Sequence, residues 1–201
     1  MLQAKGLNVI AAEIPLTSLK DDIAVTRRML GMSSQPTVLV GHSYGGAVIT
    51  GAANGADAVK SLVYITGFGL DEGESLDALS QQGPPSAGST AIGPDDNDFL
   101  WIDRERFHAA SVADATATEA AVMAAVQKPL AIAAFTGTSG PAAWKAIPSW
   151  YLQCTDDQMI PPPAQAFMAE RMGATVRSVA SSHAPFMAHP AEVAEIIALA
   201  C

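Results

Sequence analysis

The chain has 201 residues, a mass of 20.7 kDa and 49% hydrophobic residues, which fits one folded domain with its own core. Eleven Lys and Arg against 20 Asp and Glu give a net charge of −9, which argues against a nucleic-acid partner. The two cysteines, Cys154 and Cys201, are too few for a disulfide framework. Without a long apolar span or a signal-peptide pattern, we expect a cytoplasmic protein that makes no membrane contact.

Short apolar runs and stretches with helical spacing alternate along most of the chain. Such alternation is typical of a mostly parallel sheet covered by helices on both faces, so the sequence predicts an α/β fold. In chain order the predicted elements are a strand at 7–12, a helix at 21–30, a strand at 37–40, a helix at 47–53, a strand at 61–66, a strand at 150–154, a helix at 164–172, a strand at 174–180 and a helix at 191–200.

Residues 67–148 interrupt this alternation. The block contains a Gly, Pro and Ser-rich stretch at 83–94, followed by an Ala-rich region that favours helices. We therefore predict a helical cap inserted at about 67–148 within a single domain that spans residues 1–201.

The six residues 41–46 read GHSYGG and lie between a predicted strand and a predicted helix. They contain the pattern GxSxG, in which a sharp strand-to-helix turn exposes the serine. The glycines at 41 and 45 are expected to let the strand and the helix approach each other. The pattern predicts Ser43 as a nucleophile.

A serine hydroxyl needs an imidazole to take its proton and a carboxylate to orient that imidazole. His183 directly follows the last predicted strand, at the edge where active-site loops lie in such sheets, and is our candidate base. Asp156 and Asp157 both follow the strand at 150–154, and one of them is expected to orient the histidine. The order Ser, Asp, His along the chain is that of hydrolases with a nucleophile elbow.

Three motifs, GHSYGG, TDDQMIPP and SSHAPFMAHPAEVAEII, resemble the α/β-hydrolase superfamily, and most closely its small-esterase and hydroxynitrile-lyase-like branch. The resemblance covers nearly the whole chain, with residues 67–148 where the family carries its cap. It implies Ser43 as nucleophile, His183 as base and Asp157 as acid, with Asp156 as the fallback. It also implies that the backbone N–H of Tyr44 is one oxyanion donor.

Members of that branch begin with a strand, a His-Gly loop that supplies a second oxyanion donor, and a helix. Residues 1–5 resemble the end of that helix, so we expect an N-terminally truncated hydrolase fold with no strand between those at 7–12 and 37–40. The alternatives are a truncated gene model, a segment carried by a second chain, a domain swap in a homo-oligomer, or a damaged enzyme.

The sequence predicts a serine hydrolase that cleaves a small, largely apolar ester through an acyl-enzyme on Ser43. We expect His42 and Trp101 to contact the substrate, although Trp101 could instead pack the cap. No cluster of residues has metal-ligand spacing, and no cofactor or metal is expected. The alternatives are a hydroxynitrile-lyase-like enzyme, whose pocket cation would be Lys128 or Lys145, and a noncatalytic ligand-binding protein.

Overall fold

A computed structural model of the protein describes residues 1–83 and 85–201. The described strands are β1 (Thr37–His42), β2 (Val59–Ile65), β3 (Ile92–Pro94), β4 (Phe99–Ile102), β5 (Leu130–Ala131), β6 (Ser149–Cys154) and β7 (Thr175–Val179). The described helices are α1 (Leu19–Leu30), α2 (Tyr44–Ala52), α3 (Leu76–Ser80), α4 (Phe107–Ser111), α5 (Ala117–Val126), α6 (Ile132–Phe135), α7 (Pro162–Arg171), α8 (Pro185–Ala188) and α9 (Pro190–Leu199). Not one helix in these ranges has the length and apolar character needed to cross a membrane.

Four strands form a parallel sheet in the order β1-β2-β6-β7. This confirms the predicted α/β fold and four of the five predicted strands, each within two residues of its predicted bounds. The four predicted helices are present as α1, α2, α7 and α9. Because the strands are parallel, their carboxyl ends share one edge of the sheet, where ligands bind in open α/β sheets.

Alternating side chains of β2 pack on the two faces of the sheet, which divides the core. Leu62 and Tyr64 belong to a cluster that includes Met168 of α7 and residues of α2. Val63 packs in a separate cluster with Ile196 of α9 on the opposite face. β2 is therefore buried on both sides of the sheet, which explains why it reads as a continuous apolar run.

The strand predicted at residues 7–12 is absent, so that prediction is wrong. Residues 8–12 donate no backbone hydrogen bond to any described residue, and the side chains of Val9 and Ile10 are 44% and 67% exposed. β1 is the edge strand of the sheet, and no described strand lies beyond it. An apolar run becomes a strand only when a neighbouring strand completes its hydrogen bonds, and these residues have none.

The predicted cap, residues 67–148, connects β2 to β6 and is only partly helical. Pro84 lies within this range and outside the described residues. Besides α3, α4, α5 and α6, the block contains a small antiparallel sheet in the order β3-β4-β5. Its strands have two to four residues, which is too short for a period-2 pattern to stand out in the sequence. The prediction of a helical cap therefore missed this sheet.

Candidate active site

Ser43 lies on a tight turn between β1 and α2, with φ 52° and ψ −124°, a conformation unusual for a non-glycine residue. A Cβ on Gly41 would lie 2.7 Å from the nitrogen of Gly46, and a Cβ on Gly46 would lie 2.7 Å from the nitrogen of Phe68. A Cβ on Gly45 would meet nothing within 4 Å. The turn therefore needs glycine at 41, as predicted, but at 46 rather than at 45.

Tyr44 is the first residue of α2, so its backbone N–H has no partner inside the helix. No other described residue accepts a hydrogen bond from it. The Tyr44 side chain has a separate role, because its hydroxyl donates to Oδ2 of the buried Asp22 at 2.5 Å. Burial and this hydrogen bond raise the pKa of Tyr44 above its ordinary value. The side chain anchors the start of α2 to α1, and the backbone N–H is left beside Ser43.

Asp157 and His183 follow the neighbouring strands β6 and β7 and form a buried pair. Nδ1 of His183 donates to Oδ2 of Asp157 at 2.8 Å, and the two residues are 5% and 2% exposed. Asp156 is exposed, and its carboxylate only accepts a 3.4 Å bond from Thr155. Of the two candidate aspartates, the structure thus places Asp157 against the histidine.

The Asp157 carboxylate is held in place from several sides. Oδ1 accepts the backbone N–H groups of Met159 and Ile160 at 2.7 and 3.0 Å. Burial alone would raise the pKa of Asp157, but the adjacent His183 and the hydrogen bonds from His183, Thr66 and Ile160 outweigh it. The pKa of Asp157 therefore lies below its ordinary value, and the carboxylate stays charged beside the imidazole.

Two further residues that the sequence analysis missed contact the same carboxylate. Thr66, directly after β2, donates its hydroxyl to Oδ2 of Asp157. Gln165 of α7 is fully buried. Its Nε2 donates to Oδ2 of Asp157 at 3.0 Å and to the carbonyl of Ile160 at 2.7 Å. Its Oε1 accepts from the N–H of Cys154 at 3.0 Å. Thr66 could have been found, because it ends a strand at the active edge of the sheet. Gln165 belongs to no motif.

His42, which we expected to contact the substrate, packs against His183. Its Nε2 donates to the carbonyl oxygen of His183 at 2.7 Å, and the two ring centroids lie 4.7 Å apart. The ring of Phe186 meets His42 edge-on at 5.1 Å. Burial, and then the neighbouring charge of His183, lower the pKa of His42 to about 3. His42 therefore stays neutral and ties the Ser43 turn to the loop that carries His183.

Ser43 Oγ and His183 Nε2 have no hydrogen-bond partner among the described residues. Bonds between a nucleophile and its base are often loose without substrate. Ser43 is next to His42, which binds the His183 carbonyl, so the hydroxyl and the imidazole lie on contacting loops. The arrangement suits proton transfer from the serine and stabilisation of the resulting imidazolium by Asp157.

The structure does not bring Trp101 to these residues. It lies on β4, is 38% exposed, and donates from Nε1 to Asp95 at 2.9 Å. The two lysines considered as a pocket cation are engaged elsewhere: Lys145 pairs with Asp71, and Lys128 donates to the carbonyl of Ile14. Across residues 1–83 and 85–201, no group of three or more His, Cys, Asp or Glu side chains is arranged to hold a metal ion.

This chain is similar in sequence to two proteins of known name. The alpha/beta hydrolase nvfD of Aspergillus novofumigatus (strain IBT 16806) is 26% identical over 208 residues, which cover 96% of this chain and 82% of that protein. The carbendazim hydrolyzing esterase of Nocardioides sp. (strain SG-4G) is 48% identical over 58 residues, which cover 28% of this chain and 24% of that protein.

A crystal structure of the pyrethroid hydrolase PytH matches with a TM-score of 0.81 at 22% identity, over 99% of this chain and 88% of that one. This likeness shows a shared fold. The model of the alpha/beta hydrolase family matches residues 9–196. Since that match covers nearly the whole chain, the protein belongs to the alpha/beta hydrolase family.

Proposed function

We propose that the protein is a serine hydrolase that cleaves small, largely apolar esters, with Ser43 as nucleophile, His183 as base and Asp157 as the residue that orients the base. The observation that carries the proposal is the buried 2.8 Å bond between His183 and Asp157 on the loop that contacts the Ser43 turn. Nδ1 is thereby committed to the carboxylate, which leaves Nε2 available to accept the serine proton.

The reaction would proceed in two steps. Ser43 Oγ attacks the ester carbonyl carbon while its proton passes to Nε2 of His183, and the Tyr44 N–H donates to the oxyanion. The intermediate then breaks the bond to the alcohol, which leaves with the proton from His183. Water, deprotonated by the same imidazole, attacks the acyl-enzyme, and the proton passes from His183 to Ser43 Oγ as the acid is released. Asp157 stays charged throughout and stabilises the imidazolium.

Two observations support an apolar ester rather than a charged one. The ring of Phe186 lies against His42 beside the Ser43 turn and is 40% exposed, so it offers apolar surface to a substrate. The net charge of −9 disfavours anionic substrates. The names of the relatives, a carbendazim hydrolyzing esterase and a pyrethroid hydrolase, also support a hydrolytic activity.

A fluorophosphonate probe, which reacts with activated serines, tests the proposal. We expect labelling of one serine per chain, with the label on Ser43, and none in Ser43→Ala. Asp157→Asn should slow labelling by about 100-fold or more, because the imidazole loses its fixed tautomer and its counter-charge. Asp156→Asn is the matched control and should label at the wild-type rate.

Turnover of p-nitrophenyl acetate and butyrate by the same variants completes the test. Folded wild-type protein that neither labels nor hydrolyses these esters would contradict the proposal and favour a noncatalytic ligand-binding protein. Labelling that persists in Ser43→Ala would assign the reaction to another residue. A hydroxynitrile-lyase-like activity finds no support in the contacts of Lys128 and Lys145.

A further inference from the structure

A single carboxylate of the 67–148 insertion holds the loop that precedes His183. Asp114 lies between α4 and α5. Its Oδ2 accepts the hydroxyl of Ser181 at 2.6 Å and the backbone N–H of Ser182 at 3.0 Å, and its Oδ1 accepts the hydroxyl of Ser182. The two serines are 1% and 3% exposed and immediately precede the histidine. Three donors from two consecutive residues therefore converge on one side chain that comes from about 70 residues earlier in the chain.

The chemistry of this contact suits a fixed anchor. An ionised carboxylate only accepts hydrogen bonds, and hydrogen bonds to a charged acceptor are stronger than those between neutral groups. Burial would raise the pKa of Asp114, but the hydrogen bonds from Ser181 and Ser182 outweigh it and hold the pKa below its ordinary value. Asp114 is thus charged at neutral pH and can hold all three donors at once.

The insertion also holds the residue on the other side of His183. Ala184, 2% exposed, packs in a cluster with Phe107 of α4, with Val112 and with Ala120 of α5. Val112 is fully buried and lies two residues before Asp114. The insertion therefore contacts the residues on both sides of His183, through hydrogen bonds to the two serines before it and apolar packing on the alanine after it.

We propose that Asp114 is a positioning residue that keeps His183 aligned between Asp157 and Ser43. The proposal rests on the proposed function for its effect on turnover. Asp114 touches neither the imidazole nor the serine that reacts, so it acts through Ser181 and Ser182. Small displacements of a reacting group lower rates by up to about 100-fold, and the loss should fall on kcat rather than on KM.

The kinetic test is a cycle of variants. Asp114→Ala and the double variant Ser181→Ala/Ser182→Ala should each lower kcat by about 10- to 100-fold, with KM within about twofold of wild type. The triple variant should lose no more kcat than Asp114→Ala or the serine double variant alone, because both changes remove the same contact. Asp96→Ala is the matched control, an insertion aspartate whose side chain makes no hydrogen bond to a described residue. Its kcat should stay at the wild-type value.

The serine double variant retains the Asp114 charge, so the cycle separates positioning from a long-range charge effect. Losses that multiply in the triple variant, or wild-type kcat in Asp114→Ala, would overturn the proposal. Circular dichroism of each variant at neutral pH confirms that it is folded, and Asp114→Asn, which retains part of the contact, should lose less activity than Asp114→Ala.

A measurement without turnover separates this proposal from the proposed function. The Nδ1–H proton of His183 in its bond to Asp157 can be followed by NMR on protein with ¹⁵N-labelled histidine, assigned with His183→Ala. In Asp114→Ala we expect this proton to exchange with water at least about tenfold faster, because the pair opens more often. Unchanged exchange would contradict the positioning role even if the wild-type protein hydrolyses no ester. Faster exchange in a protein without esterase activity would support the role and reject only the proposed function.

Discussion

His42 makes the stability of this fold depend on pH in a window that can be measured. Its pKa is lowered from an ordinary value of 6.5 to about 3, first by burial and then by the nearby His183. The neutral ring donates to the His183 carbonyl at 2.7 Å, a bond between two parts of the chain 141 residues apart. We consider the substitution His42→Gln, whose side-chain amide can donate a similar bond but takes up no proton.

The sign of the effect follows from proton binding. Between pH 6.5 and pH 3 the unfolded chain binds a proton at His42 that the folded chain does not, so the free energy of unfolding falls as the pH falls. The stabilisation is complete above pH 6.5 and is lost by about 1.4 kcal/mol for each pH unit below it. From pH 7 to pH 5 the loss from this one group is about 2 kcal/mol. The lowered pKa of Asp157 acts below its ordinary value of 3.8, outside this range.

Urea unfolding at half-unit steps from pH 7 to pH 5 measures the effect, with wild type and His42→Gln compared at each pH. The free energy of unfolding of the wild type minus that of His42→Gln should fall by about 2 kcal/mol from pH 7 to pH 5, because only the wild type has to keep the ring neutral. Circular dichroism at pH 7 confirms that the variant is folded. Parallel pH curves for the two proteins would refute the reasoning.

Three further substitutions test the packing that the structure describes, each by its free energy of unfolding. Gly46→Ala should destabilise the fold by about 1 to 3 kcal/mol, because the new Cβ meets the backbone of Phe68. Gly45→Ala is its matched control: the new Cβ meets nothing within 4 Å, so the change should be neutral or stabilising by up to about 1 kcal/mol. Gln165→Leu should cost about 3 kcal/mol or more, because several buried polar groups lose their partner. Lys145→Ala should cost less than about 1 kcal/mol, because its ion pair is exposed; a loss above 2 kcal/mol would contradict this.

The sequence predicts the sheet best where burial on both faces leaves a strong pattern. β2 and β6 are largely buried, with core side chains on each face of the sheet, and they appear as apolar runs. β1 is half-buried over most of its length, and β7 is exposed apart from the half-buried Val179, so the pattern is weaker there. Residues 7–12 have the same apolar pattern but no partner strand, so composition alone could not distinguish them from a strand. The sequence did not predict the short strands β3, β4 and β5, because two to four residues are too few to show a hydrophobic pattern.

The sequence predicts those residues of the candidate site that follow a strand of the sheet. Ser43, Asp157 and His183 each come within four residues of the end of a strand of the parallel sheet, so chain order and residue type identify them. The residues that hold them carry no such signal. Gln165 is a helical glutamine and Asp114 a loop aspartate, and their roles depend on contacts that only the folded chain creates.

The position of His183 depends on three separate parts of the fold. His42 binds its carbonyl across 141 residues of sequence, Asp114 binds the preceding serine across 68, and Asp157 binds its ring across 26. Each of these contacts joins segments that are separated in sequence, so each requires tertiary structure and closes a loop at a cost in chain entropy. The imidazole is therefore aligned only when the sheet and the insertion have both folded. The insertion consequently contributes to the placement of the base itself, and changes within it can alter the rate of reaction without touching the substrate.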